Sequence, residues 1–217
     1  MTSKWSYGGA FERHPIDEQI VRFADGSVVQ PRNIFDELPS FMLAADLLFI
    51  DPPWNQGNIN SFYTKAGRAD RAVDFTLFIS RLFDCIGEID PATCYIEVGK
   101  EYLADFIIKM RGIYKNVTFY NSSYYHRADN FCYVVRGSSK RKKLPLDGMD
   151  EEDIIKWVCV NEQYDTIGDL CMGRGLVGLH AFAAGKRFVG TELNHKRLAV
   201  LVGKLYEKGL NYSLTPV

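Results

Sequence analysis

The sequence lacks the features that would place the protein in a membrane or in an oxidising compartment. No apolar run approaches the length of a membrane span, and the N-terminal MTSKWSYGGAFERH has no apolar segment typical of a signal peptide. The five cysteines include no C-x-x-C pair and mostly stand in apolar runs, so we expect buried, reduced thiols. We therefore expect a cytoplasmic protein that has no membrane partner.

The sequence also has little net charge, because 26 Lys and Arg are set against 27 Asp and Glu. A net charge of −1 creates no global attraction to a polyanion, so a nucleic acid would have to bind at a local basic patch. The histidines and cysteines show no zinc-site spacing, and we predict no metal. The 217 residues are 47% hydrophobic, which is enough for the core of an enzyme.

We predict one domain over residues 1–217, in which residues 1–40 form an N-terminal extension. The pair Asp25-Gly26 lies between VRF and SVVQ and predicts a hairpin turn, which would make this extension a β-ribbon.

From residue 46 onwards, apolar runs of strand length alternate with segments of helical periodicity. The predicted strands are DLLFI, ATCYIEVG, YDTIGDL and RFVGTEL, and NVTFYNSSYY with NFCYVVRG predicts an antiparallel pair. The predicted helices are DFTLFISRLFDCIGEI, EYLADFIIKMRGIY, DEEDIIKWVCVNE, LVGLHAFAAG and HKRLAVLVGKLYEKG, whereas residues 55–72 are predicted to be a loop. This order predicts an α/β, Rossmann-like fold whose sheet is mostly parallel and has an antiparallel edge pair.

Ligands bind at the carboxyl ends of the strands in such sheets, and the tetrapeptide Asp51-Pro52-Pro53-Trp54 directly follows the strand DLLFI. An aromatic amine is a poor nucleophile because its lone pair is delocalised into the ring. The Asp51 carboxylate and the Pro52 carbonyl can accept the two N–H groups of such an amine, and the prolines hold these acceptors stiffly. Trp54 offers a flat face for a flipped base. The tetrapeptide therefore predicts methyl transfer to an exocyclic amine.

A second motif, DLCMGRG over residues 169–175, lies between a predicted strand and a predicted helix. Gly173 and Gly175 allow the backbone to approach a ligand, and Glu192, at the end of the next strand, can accept hydrogen bonds from ribose hydroxyls. With Gly178 the spacing also fits a dinucleotide-binding oxidoreductase, and spacing alone leaves that alternative open. Asp169 distinguishes the two, because it would repel a pyrophosphate but pair with the cationic end of S-adenosylmethionine.

Together these motifs resemble the S-adenosylmethionine-dependent amino-methyltransferases of DNA and RNA. The catalytic motif of that family is [DNS]-P-P-[YFW], and Asp51 with Trp54 is similar to the N6-adenine subset. The family's cofactor loop is D-P-F-x-G-S-G, and GKRFVGTELN stands where its members have GRRFIGIEID or close variants. The catalytic motif precedes the cofactor loop, which resembles the circularly permuted β-type order. The resemblance covers roughly residues 46 to 200.

The resemblance implies a methyltransferase fold and S-adenosylmethionine as cofactor. It implies a catalytic role for Asp51, Pro52, Pro53 and Trp54, and cofactor contacts from Asp51, Asp169, Met172, Gly173, Arg174, Gly175, Leu176, Glu192 and Asn194. The sequence departs from the pattern where Leu170-Cys171 replaces Pro-Phe and Arg174 replaces a small Ser. It also has no long insertion that would serve as a target-recognition domain, so a protein partner is a candidate source of target recognition.

The densest positive charge is the run Lys140, Arg141, Lys142 and Lys143, which we place on the rim of the cleft as a candidate phosphate contact. A solvated loop is the alternative interpretation of this run. Lys65, Arg68 and Arg71 lie in the segment after the catalytic motif, and Tyr124 is a candidate for stacking on a nucleotide.

The predicted reaction is methylation of adenine N6 in DNA. RNA adenine is the second substrate, and a catalytically silent, nucleic-acid-binding subunit of a methyltransferase complex is the rival of a different class. Methylation of a protein amide or a small amine is also open, although Asp rather than Asn at position 51 favours adenine.

Overall fold

The computed structural model describes residues 7–124 and 126–216. Its strands are β1 (Ile20–Phe23), β2 (Val28–Pro31), β3 (Leu47–Ile50), β4 (Thr93–Val98), β5 (Asn116–Tyr124), β6 (Arg127–Ser138), β7 (Thr166–Asp169), β8 (Arg187–Glu192) and β9 (Tyr212–Thr215). Its helices are α1 (Ala10–Arg13), α2 (Gln56–Lys65), α3 (Phe75–Ile89), α4 (Leu103–Ile113), α5 (Glu151–Asn161), α6 (Leu176–Ala183) and α7 (His195–Glu207). Short 3-10 helices cover Tyr7–Gly9, Ser40–Ala44 and Ala69–Arg71.

The strands form one sheet in the order β5-β6-β4-β3-β7-β8-β2-β1-β9. Its centre, from β4 to β2, is parallel, while β6 and β5 add antiparallel strands beyond β4. The predicted α/β fold with an antiparallel edge pair is therefore confirmed. A second antiparallel edge, formed by β1 and β9, was not predicted.

The N-terminal hairpin is present where the Asp25-Gly26 turn predicts it. Gly26 adopts a φ of 88°, and Asp25 accepts a hydrogen bond of 2.8 Å from the Ser27 backbone N–H. The hairpin joins the main sheet, because Val29 of β2 pairs in parallel with Gly190 of β8. β1 then pairs with β9, a short and largely exposed strand whose sequence gives little signal.

The prediction of a loop over residues 55–72 is wrong, because α2 lies within it. Asn55 caps this helix by accepting a hydrogen bond of 3.0 Å from the Asn58 backbone N–H. The helix sequence QGNINSFYTK is mostly polar and shows almost no apolar periodicity. Only Ile59 and Tyr63 are buried along it. The other predicted helices and strands are found with small shifts at their ends. No described helix is long and apolar enough to span a membrane.

Two apolar layers cover the two faces of the sheet. On one face, Phe49 of β3 and Tyr95 of β4 stack at 5.7 Å between ring centroids, and they belong to a cluster with α5, α6 and α7. On the other face, Ile50 and Ile96 pack with α2, α3 and α4. Because side chains alternate along a strand, the residues that follow Ile50 and Ile96 point toward the first face.

The start of α6 depends on a glycine that has no room for a side chain. Gly175 has a φ of 76°, and a Cβ there would lie 2.6 Å from Cβ of Leu201 on α7. Gly185 has a similar φ of 68° but no atom within 4 Å of such a Cβ. Alanine substitutions at Gly175 and Gly185 therefore separate the cost of the left-handed backbone conformation from the cost of a steric clash.

We expect Gly185→Ala to lower the free energy of unfolding by about 1 kcal/mol, the cost of the left-handed conformation alone. Gly175→Ala should cost about 1–3 kcal/mol more, because the added methyl group must displace Leu201. Urea unfolding of both variants measures the difference. Equal losses would contradict the packing argument.

Candidate active site

A cavity of about 980 Å³ opens at the carboxyl ends of the central strands. Both sequence motifs reach it, although they are far apart in the chain. The predicted site residues that line it are Asp51, Pro52, Pro53, Trp54, Tyr124, Asp169, Met172, Gly173, Arg174, Leu176 and Glu192. The structure thus brings the tetrapeptide and the glycine loop together around one space.

In the tetrapeptide, the Asp51 carboxylate is held by hydrogen bonds and lies next to two aromatic rings. The Trp54 indole Nε1–H donates to Oδ1 of Asp51 at 3.1 Å, and the Tyr124 hydroxyl donates to Oδ2 of Asp51 at 3.5 Å. The backbone N–H of Trp54 donates to Oδ1 of Asn58 on α2 at 3.1 Å. The Trp54 and Tyr124 rings meet edge to face at 5.1 Å between centroids. Trp54 therefore orients Asp51 as well as presenting a ring to the cavity.

The glycine loop is held through Glu192 at the end of β8. The Gly173 backbone N–H donates to Oε2 of Glu192 at 2.7 Å, and the Asn194 backbone N–H donates to Oε1 at 3.0 Å. Oδ1 of Asp169, at the end of β7, accepts from the Cys171 backbone N–H at 2.9 Å. Each carboxylate oxygen has a second lone pair, so these acids can still accept hydrogen bonds from a ligand.

Arg174 stands where the resembling family has a small serine, and the structure shows how the larger side chain fits. Arg174 is exposed, and its guanidinium lies over the Tyr7 ring at 5.3 Å from the centroid. The backbone of the loop therefore keeps its turn while the long side chain lies at the mouth of the cavity.

Two predicted cofactor residues do not line the cavity. Gly175 packs against Leu201, as described above. Asn194 is buried and caps α7 by accepting from the Lys196 backbone N–H at 3.0 Å, while its amide donates to the Lys65 carbonyl at 3.0 Å. These contacts assign Asn194 a structural role, and its ribose contact stays a prediction.

The rim position predicted for the basic run is wrong. The run follows Ser138 at the end of β6, and Ser138 pairs with Thr93 at the start of β4, so it lies at the opposite end of the sheet from the cavity. The reason is that β6 is antiparallel to β4 and carries the chain back along the sheet. One member of the run, Lys142, pairs with Glu162 at 2.9 Å. Phosphate binding by Lys140, Arg141, Lys142 and Lys143 therefore stays an untested prediction, which competes with phosphate binding at the cavity.

Sequence reasoning missed Glu97, which completes a row of acids on one face of the sheet. The pairing of Ile50 with Ile96 places Asp51 beside Glu97. Asp169 pairs with Gly190, and Glu192 follows two residues later on β8. By alternation these acids share a face with the Phe49–Tyr95 stack. The available signal was that Glu97, like Asp51, stands at the carboxyl end of an apolar strand.

Ionisation of these four acids costs free energy, because burial removes water from their carboxylates. Burial raises the pKa of Asp51 to about 6, although hydrogen bonds from Trp54 and Tyr124 and the charge of Arg197 lower it. Burial also raises the pKa values of Asp169 and Glu97 well above the usual range and raises that of Glu192. Arg197 lies 4.0 Å from Glu192 and offsets part of this cost. A cationic ligand in the cavity would offset more of it.

No family model matches the chain. No curated protein matches it either. Solved structures do match in fold. The M1.HpyAVI complex with S-adenosylmethionine has a TM-score of 0.56 at 11% identity, over 81% of this chain and 98% of that one.

TTHA0409 of Thermus thermophilus, assigned as a DNA modification methylase and complexed with S-adenosylmethionine, has a TM-score of 0.51 at 12% identity, over 76% of this chain and 87% of that one. The PvuII DNA methyltransferase, which is cytosine-N4-specific, has a TM-score of 0.50 at 10% identity, over 74% and 79%. The chain therefore has the Rossmann-like fold of these methyltransferases.

The acid row predicts a conflict between stability and ligand binding that Asp169→Asn can reveal. Asparagine keeps the oxygen that accepts from Cys171 but removes the buried charge. The pKa of Asp169 is raised in the folded protein above its unfolded value of about 4. The free energy of unfolding therefore falls as the pH rises from about 4 to the folded pKa, and it stays low above that pKa.

We therefore expect Asp169→Asn to stabilise the protein by about 1–3 kcal/mol at pH 7 and by almost nothing at about pH 3.5. Thermal unfolding across this pH range measures the effect. The matched control is Asp165→Asn, a change at an exposed position just before β7. A stabilisation at pH 7 that persists unchanged at the acid end of the range would contradict the charge argument.

Proposed function

We propose that this chain is an S-adenosylmethionine-dependent methyltransferase acting on the exocyclic amine of a nucleobase, with adenine N6 in DNA as the preferred target. One observation carries the proposal: Asp51, with its hydrogen bond from Trp54, lines the same cavity as Asp169, the glycine loop and Glu192. The fold likeness to methyltransferases crystallised with this cofactor supports it.

The residues of the cavity fit this cofactor. Asp169 and its neighbours form a buried acidic row that favours a ligand with an ammonium and a sulfonium, and Glu192 has acceptor capacity for ribose hydroxyls. Gly173 lets the backbone turn at a φ of 56° beside Glu192. Met172 and Leu176 add apolar lining. When bound, S-adenosylmethionine supplies a methyl group that leaves its sulfur for the amine nitrogen.

The tetrapeptide would hold the amine for this transfer. The Asp51 carboxylate and the Pro52 carbonyl accept its two N–H groups and turn the nitrogen lone pair toward the methyl group. Pro52 and Pro53 are buried and fixed in φ, and Trp54 braces Asp51, so the acceptors are already oriented before the base arrives. After transfer the nitrogen is cationic, and it loses a proton.

Asp at the first position of the tetrapeptide favours adenine, by resemblance to the N6-adenine subset. Cytosine N4 is the second candidate, because one structural relative is cytosine-N4-specific. Adenine in RNA remains an alternative polymer, and the permuted motif order remains part of the proposal. A catalytically silent subunit is the less favoured interpretation, because Asp51, Gly173 and Glu192 are all present around the cavity.

The decisive experiment is incubation of the protein with labelled S-adenosylmethionine and unmethylated DNA or RNA, followed by nucleoside analysis. We expect N6-methyladenine from DNA. Label in RNA alone would redirect the substrate, and N4-methylcytosine would replace the adenine assignment. Cofactor binding without transfer to either polymer would favour the silent subunit.

Asp51 should control the pH dependence of the reaction. Its carboxylate must be ionised to accept an amine N–H, so with a pKa raised to about 6 the rate should fall as the pH drops through that value. We expect kcat to fall about tenfold per pH unit below this point. Asp51→Ala should lower kcat by about a thousandfold or more while cofactor affinity changes only a few-fold.

Single-turnover rates from about pH 5 to 8 and calorimetric cofactor titration measure these effects. A pH-independent rate, or loss of cofactor binding in Asp51→Ala, would contradict the assigned role.

The position of positive charge predicts which end of the sheet meets the phosphates. Lys65 and Arg174 are exposed and line the cavity, whereas Lys140, Arg141 and Lys143 are exposed at the opposite end. Lys65→Ala with Arg174→Ala should reduce the slope of log affinity against log salt by about 2 for duplex DNA. The control, in which Lys140, Arg141 and Lys143 are changed to Ala, should leave the slope intact. The opposite result would return the phosphate contacts to the basic run.

A further inference from the structure

Glu97 is a buried carboxyl group that the proposed chemistry does not yet use. It is 1% exposed, lies beside Asp51 in the strand register and lines the cavity. Its Oε1 atom has no hydrogen-bond partner among the described residues. A buried polar atom without a partner costs free energy, and because Glu97 lines the cavity, a ligand bound there can supply that partner.

The surroundings of Glu97 favour a carboxyl group that carries a proton. Glu97, Cys132 of β6 and Glu151 of α5 each place a ligand-type atom within 4.8 Å of the others. Asp51, directly after β3, and Asp150 at the start of α5 add further negative charge. Acids this close cannot all ionise in a buried site. Burial and the charges of Asp51 and Glu151 raise the pKa of Glu97 well above its usual range, so Glu97 retains a proton once Asp51 is ionised. A protonated carboxyl group is a hydrogen-bond donor.

The target base has an acceptor that such a donor would match. In the proposed reaction Asp51 and the Pro52 carbonyl accept both N–H groups of the amine, which leaves the adjacent ring nitrogen, N1 of adenine or N3 of cytosine, as an unmatched acceptor. Neighbouring strands lie about 4.8 Å apart, so the carboxyl groups of Glu97 and Asp51 are close enough for one edge of a base to contact both.

We propose that Glu97 is a base-recognition residue that donates a hydrogen bond from its carboxyl group to the ring nitrogen next to the target amine. The inference rests on the proposed function and extends it to the substrate edge that the site recognises. It makes Glu97 and Asp51 a donor–acceptor pair on neighbouring strands, with opposite protonation states.

The test uses the full chain and a synthetic duplex that contains the target sequence read from methylated genomic DNA. The target adenine is replaced by 1-deazaadenine, which keeps the amine but lacks N1, or by 7-deazaadenine as a control. The wild-type protein should prefer adenine over 1-deazaadenine by about tenfold or more in kcat/KM. If the product is N4-methylcytosine, 3-deazacytosine serves in the same way.

Glu97→Met removes the donor and should process adenine and 1-deazaadenine at nearly equal rates. Glu97→Gln keeps an N–H donor and should retain most of the preference for adenine. Both variants should treat 7-deazaadenine as the wild type does. Circular dichroism and cofactor titration establish that each variant is folded.

Two results would overturn the inference while leaving the proposed function intact. One is that Glu97→Met slows both substrates equally, which would assign Glu97 a structural role. The other is a stoichiometric divalent cation that is lost in Glu97→Gln and is required for activity, which would make the cluster a metal site. Absence of methyl transfer by the wild-type protein to any nucleic acid would instead refute the proposed function itself.

Discussion

The parallel register of β4, β3, β7 and β8 is the constraint on which the site depends. It brings the carboxyl ends of four strands to one edge of the sheet and points Glu97, Asp51, Asp169 and Glu192 toward the same face. No loop has to carry these acids across the molecule. A shift of one residue in any pairing would move that acid to the opposite face of the sheet, away from the cavity. The large apolar clusters on both faces therefore fix the register, and the register fixes the chemistry.

The same arrangement costs stability. Three buried acids and the half-buried Asp51 lie in one row. Desolvation raises the pKa of each, and the charge of Arg197 lowers three of these values, those of Asp51, Asp169 and Glu192. A fold selected for stability alone would replace such groups with apolar or amide side chains. The row is explained if a cationic cofactor compensates part of the charge and a base edge supplies partners for Asp51 and Glu97. Ligand binding then relieves part of the cost of burying these acids, and this relief adds to the affinity for the ligand.

Most of the sheet and both motifs were predictable from the sequence because the evidence for them is local. Apolar runs that end in Asp51, Asp169 and Glu192 mark strand ends directly. What failed depended on pairing between distant segments. The basic run was misplaced because the direction of β6 cannot be read from its own residues, and Glu97 gained meaning only through its register with Asp51. α2 was missed because its order comes from the Asn55 cap and two buried side chains rather than from periodicity.

Trp54 shows why the tetrapeptide acts as one unit. A flat ring alone would be supplied by Phe or Tyr, but only the indole of Trp offers an N–H at its edge, and here that N–H holds Oδ1 of Asp51. Tyr124, on the antiparallel strand β5, holds the other oxygen and packs its ring edge to face against the indole. The aromatic wall and the acid are thus coupled, so a base that displaced the ring would also disturb the acceptor for its amine. In the proposed reaction, this coupling would join recognition of the base to orientation of its amine through the same two side chains.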